Sequence, residues 1–132
     1  VRKSFEAFVD TDPSAVDLLP HIAVIYQIFP NTILVWQSDH FEMWNCFPGR
    51  NGPGTSVSRV SLLAPSPEEE SPRADYWDKN WKVLMNTVEE EDFRVARTMQ
   101  AGFSTGSQTE VVFGRNEPAL QHFHRTLESQ IG

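Results

Sequence analysis

The chain has 132 residues, of which 39% are hydrophobic and 22% charged, a balance that suits a folded globular protein and excludes wholesale disorder. A net charge of −7 excludes the basic patch that nucleic acid requires and disfavours electrostatic attachment to an anionic membrane. No run approaches the roughly 18 apolar residues of a membrane-spanning helix, and the single cysteine, Cys46, cannot close an internal disulfide, which suits a reducing cytoplasm.

Residues 1–20 begin with Val1-Arg2-Lys3-Ser4, which no apolar secretory segment follows, and end in the turn-rich Asp10-Thr11-Asp12-Pro13-Ser14 and its flank. They read as an arm or connection, and the Val start suggests an excised or trimmed piece. The body is residues 21–132. Ile22 to Phe29 is a β-branched and aromatic run suited to a buried strand, punctuated by Pro30-Asn31 and resumed from Thr32 to Gln37. Ser38-Asp39-His40 predicts a hairpin connection into Phe41–Phe47. Pro48 to Thr55, with three glycines and two prolines, is a loop, and Val57 to Leu63 a further strand. The first half is thus an antiparallel meander of about four strands.

Pro65-Ser66-Pro67-Glu68-Glu69-Glu70 is a linker, and Ser71-Pro72 supplies an N-cap and a first-turn proline for a helix. Apolar residues then recur at Trp77, Trp81, Leu84, Val88, Val95 and Met99, one face of a helix that Gly102 closes. A last helix starts at Asn116, with Pro118 in its first turn, and runs through Leu120, Phe123, Leu127 and Ile131. Strands followed by helices imply an α+β domain, helices packed on an antiparallel sheet. Nine Phe, four Trp and two Tyr supply rings for a core or for the wall of an apolar pocket.

Asp92 falls on the apolar face of the long helix, four residues after Val88 and three before Val95. Glu91 lies at the edge of that face, Glu89 outside it, and Glu90 on the far side. A carboxylate turned into an apolar interior needs a hydrogen bond, an ion pair or a metal. The alternative is a break near Glu89–Asp92 that places the acids in the first turn of a second helix, where they suit its dipole. Helical phase alone leaves both open. The histidines do not resolve the choice, since His122 and His124 point about 200° apart on a helix. His21 precedes a strand, and His40 sits in a turn as a structural or solvated residue. The chain has no glycine-rich phosphate loop and no nucleophile elbow, and hence no catalytic residues of its own.

Ile28-Phe29-Pro30-Asn31 at a strand break, Glu91-Asp92-Phe93 leading to Gln100-Ala101-Gly102, and Phe113-Gly114-Arg115-Asn116-Glu117 before Phe123-His124 follow one another in order. Together they resemble the C-terminal part of the catalytic domain of Rieske-type aromatic-ring-hydroxylating oxygenase alpha subunits, from about residue 20 to the end. The resemblance implies a helix-grip (START/Bet v 1-like) fold, an antiparallel sheet around a long helix, here incomplete. It makes Asp92 the carboxylate of a 2-His-1-carboxylate triad on mononuclear Fe(II). Phe29, Asn31, Val35 and Met85 become candidates for the substrate pocket.

Also implied are an upstream Rieske domain with its [2Fe–2S] cluster, the rest of the catalytic domain, a ferredoxin or reductase, and a homo-oligomer. The parent enzyme would hydroxylate or dealkylate an organic, aromatic substrate with O2. The two iron histidines and the Rieske ligands are not in this sequence, so the chain alone is expected to bind no iron and to be inactive. Two other readings are a metal-free helix-grip module for a hydrophobic small molecule and an assembly element that oligomerises through exposed apolar surface.

Overall fold

The computed structural model describes residues 8–65 and 74–132. Two short 3-10 turns, Pro13–Ala15 and Leu19–His21, lead into four strands: β1 (Val24–Ile28), β2 (Thr32–Trp36), β3 (Phe41–Pro48) and β4 (Ser56–Leu63). They pair in sequence order, each antiparallel to the next, as the alternating runs and turn residues predict. The ends shift by a residue or two: β1 starts at Val24 rather than Ile22, and Pro48 belongs to β3 rather than to the loop.

Directly paired residues share a face of a sheet. Val35 pairs with Glu42 and Ile33 with Trp44, while Glu42 pairs with Leu62 and Trp44 with Val60. One face therefore carries an apolar field from three strands with a single carboxylate, Glu42, set in it. The β2–β3 turn is closed by the Gln37 N–H donating to the His40 carbonyl at 2.9 Å, with Ser38 in the left-handed region at φ 69°. At the other end of β2 the Asn31 amide donates to the Cys46 carbonyl at 3.1 Å, and the Cys46 N–H to the Asn31 carbonyl at 2.9 Å.

The long helical element comprises α1 (Ala74–Thr87), a five-residue π turn (Val88–Asp92) and α2 (Phe93–Ser104). The linker acids Glu68–Glu70 and the Ser71-Pro72 start lie outside the described residues. At the far end the predicted stop at Gly102 is overshot. The helix ends at Ser104, and the glycine with left-handed backbone is Gly106 at φ 70°, where Cβ would be penalised.

The π turn also corrects the predicted stripe. Its Phe93 N–H reaches the Val88 carbonyl, five residues back, so the turn holds one residue more than an α-helix would. Each later residue is rotated by about 100°, and the sheet-facing positions pass from 92, 95 and 99 to 93, 96 and 100. Phe93 meets Trp44 edge-on, with ring centroids 6.5 Å apart, and Ala96, Arg97 and Gln100 line a groove against the β4 end of the sheet. Val95 and Met99, expected inside, are 57% and 44% exposed. Arg97 pairs with Glu89 across the turn.

The last helix, α3 (Pro118–Ile131), starts with proline at its first position and docks through Phe123, whose ring lies 5.8 Å from that of Phe29. The architecture is the α+β, helix-grip arrangement: an open four-stranded sheet facing a long helix. Packing between the layers is thin. Val88, 7% exposed, is the one buried apolar side chain among the described residues.

Deleting Glu90 removes the extra residue yet leaves Phe93 four positions after Val88, so helical circular dichroism and the melting temperature should be retained. Deleting Arg94 instead carries Ala96 and Gln100 off the sheet-facing side. It should lower the melting temperature by at least roughly 4 °C, the shift that a ~1 kcal/mol loss produces in a domain of this size. Equal effects of the two deletions would contradict this register.

Candidate functional site

Sheet and helix do not close on each other. Between β2–β3 and the α1–π-turn segment lies a cleft of about 660 Å³. The pleat of β3 turns His40, Glu42 and Trp44 to one side, where they line the cleft with Val35 and Gln37 of β2. Tyr76, Asn80, Leu84, Thr87 and Val88 of the helix form the opposite wall, and Asp92 stands at its π turn.

One end of the cleft is polar and tightly bonded. His40 and Glu42 are each only 8% exposed, and such groups are costly to bury without partners. His40 Nδ1 lies 2.7 Å from Asp39 Oδ1, and the Tyr76 hydroxyl donates to Asp39 Oδ2 at 2.9 Å. The Gln37 amide donates to Glu42 Oε1 at 3.0 Å, while His40 Nε2 stands 3.9 Å from the same oxygen, too far for a hydrogen bond. The His40 ring also meets Trp77 edge-on at 5.5 Å. The tip of the β2–β3 hairpin is thereby gripped by the first turns of α1. Partial burial pushes the Asp39 carboxyl up, but the hydrogen bonds from His40 and Tyr76, with the His40 charge, outweigh it and hold the group below its ordinary value.

Asp92 is less enclosed than its phase in a straight helix suggests. Because the extra residue gives the inward slot to Phe93, the Asp92 side chain is exposed along the cleft wall. It makes no hydrogen bond or ion pair among the described residues. The helix does not break there either; the backbone runs on from α1 through the π turn into α2.

Of the pocket candidates, the structure brings Val35 into the cleft with Asp92. Phe29 packs on Phe123 of α3, Asn31 ties β2 to β3, and Met85 is half-buried on α1 away from the cleft lining. His21 meets the Phe8 ring at 4.6 Å and His124 the Phe113 ring at 4.6 Å. Among the described residues, no group of three His, Cys, Asp or Glu side chains is placed to hold a metal ion.

Glu42 and the buried side of His40 were missed by motif reasoning. Their signal was the alternation His40-x-Glu42-x-Trp44, which sets two polar groups on the face of β3 that the apolar residues of β2 and β4 define.

Tyr76→Phe removes one of the two donors to Asp39, so the Asp39 titration midpoint should rise toward the ordinary value of about 3.9. The depressed carboxyl adds stability that is present above that ordinary value and lost as pH falls through the folded midpoint. The variant should therefore lose less stability on acidification below about pH 4 than the wild type. Carboxyl-detected NMR titration with acid denaturation checks both; an unmoved midpoint would contradict the assigned contact.

No helix among the described residues is long and apolar enough to cross a membrane. No curated protein and no solved structure gives a significant match to the chain. A family model, ring hydroxylating alpha subunit (catalytic domain), matches residues 10–132. The ordered motifs around Asp92, the helix-grip arrangement and this match over nearly the whole sequence agree, and the chain belongs to the ring-hydroxylating alpha subunit catalytic-domain family.

Proposed function

We propose that the chain is the C-terminal part of the catalytic domain of a Rieske non-haem iron oxygenase, and that Asp92 is the carboxylate ligand of its mononuclear iron. The observation that carries this reading is the carboxylate itself. It is exposed on the wall of a substrate-sized cleft, unengaged by any described residue, and held at a π turn, a distortion frequent at functional sites.

The residues present fit one ligand of the metal and no more. His40 has its Nδ1 engaged by Asp39, and its Nε2 faces Glu42 rather than forming part of a triad with Asp92. The two iron histidines and the ligands of the [2Fe–2S] cluster belong to the rest of the subunit, with a ferredoxin or reductase as electron donor. A single carboxylate holds Fe(II) too weakly to retain it, so the isolated chain is inactive. Bound iron would supply oxygen activation, with Asp92 as one of the residues that would hold it.

This chain's own residues shape the space in front of that metal. Val35, Leu84 and Val88 give the cleft an apolar wall against which an organic, aromatic substrate would pack. The enzyme then hydroxylates or dealkylates that substrate with O2, in the cytoplasm, as a homo-oligomer.

Asp92→Ala in the full-length subunit should lower iron affinity by more than the ~10–100-fold that loss of a hydrogen-bond partner of a metal ligand costs. Metal analysis after dialysis reads this directly. Full iron retention by the variant would sink the assignment.

A further inference from the structure

We propose that the polar end of the cleft is a subsite for a positively charged, hydrogen-bond-donating group on the substrate, an organic ammonium, bound by Glu42 beside the Trp44 ring. The proposal deepens the oxygenase reading, since it takes the cleft to be the substrate site.

The chemistry of this end is acceptor chemistry. Asp39 is already occupied, by the His40 ring on one oxygen and the Tyr76 hydroxyl on the other. His40 Nδ1 is engaged with Asp39, and its Nε2 makes no hydrogen bond among the described residues. Glu42 accepts one amide hydrogen from Gln37 on Oε1, and its Oε2 has no donor among the described residues. Nε2 and Oε1 stand 3.9 Å apart, too far to bond each other, and both belong to side chains that line the cleft. A group entering here meets the Glu42 carboxylate, an acceptor that an N–H cation satisfies and a carbonyl oxygen does not.

Charge points the same way. The described residues lining the cleft include Asp39, Glu42 and Asp92, and neither Lys nor Arg. Asp92 is assigned to the metal and Asp39 is held by His40 and Tyr76, which leaves Glu42 as the buried carboxylate with neither Lys nor Arg beside it among the described residues. Trp44 lies two residues along the same face of β3, where a ring face attracts ammonium.

The test is isothermal titration of the anaerobic full-length subunit with benzylammonium and with benzyl alcohol, close in size and differing in charge. The ammonium should bind at least tenfold more tightly. Glu42→Gln should reduce that ratio below threefold while changing benzyl alcohol affinity less than twofold. Equal affinities in the wild type overturn the proposal, and this comparison stands even if the variant fails to fold. A preference that survives in folded Glu42→Gln also overturns it. Iron content separates the two readings: Glu42→Gln should keep its iron, and Asp92→Ala should lose iron yet retain the ammonium preference.

Discussion

One hydrogen bond organises the working face of this chain: the Phe93 N–H bonds the Val88 carbonyl, five residues back instead of four. The extra residue it encloses turns Phe93 toward Trp44 and leaves Asp92 beside it on the cleft wall, exposed and unengaged by the described residues. A regular helix would put Glu91 or Asp92 inward and bury Val95 and Met99 a turn or two later. The π turn releases Asp92 from the helix–sheet contact while keeping it fixed on a rigid rod. Val88, immediately before the distortion, is the most buried apolar side chain described, so packing anchors the turn at its start.

The second constraint is the grip of α1 on the β2–β3 hairpin. Asp39 ties His40 to Tyr76, and His40 lies against Trp77, so two consecutive aromatic residues of the helix hold one turn of the sheet. This contact sets how far sheet and helix stand apart at that end, and hence the width of the cleft. The buried Glu42 rests on the same network through Gln37. Two acids thus line one cavity, Asp92 at the helix distortion and Glu42 on the sheet.

Much of the fold was legible from local chemistry. Pro30-Asn31, Ser38-Asp39-His40 and the Pro48–Thr55 loop divide the first half into four strands, and the observed sheet follows that division within a residue or two. The helix was legible as an element but not in its phase, because a π turn leaves no mark in composition: Val88-Glu89-Glu90-Glu91-Asp92 is an ordinary helical sequence. The stripe failed after Val88, at Val95 and Met99; before it Trp77 and Leu84 are half-buried, while Trp81 is 38% exposed. Asp92 was singled out by helical phase, which the π turn alters, and given a role by motif order; the cleft supplies its setting. Phe29 and Asn31 sit in a motif with that order, yet here one packs on α3 and the other binds the β3 backbone. Glu42 and His40 escaped because no short motif contains them; only strand register brings their face to the helix.

The central claim is that the Asp92 carboxylate binds iron. Diffraction from crystals of the full-length subunit, collected across the iron absorption edge, tests it most directly. An anomalous peak is expected at coordination distance, about 2.1 Å, from an Asp92 carboxylate oxygen, in the cleft that Val35 and Glu42 line. An iron peak held by other residues, with the Asp92 carboxylate pointing to solvent, would contradict it.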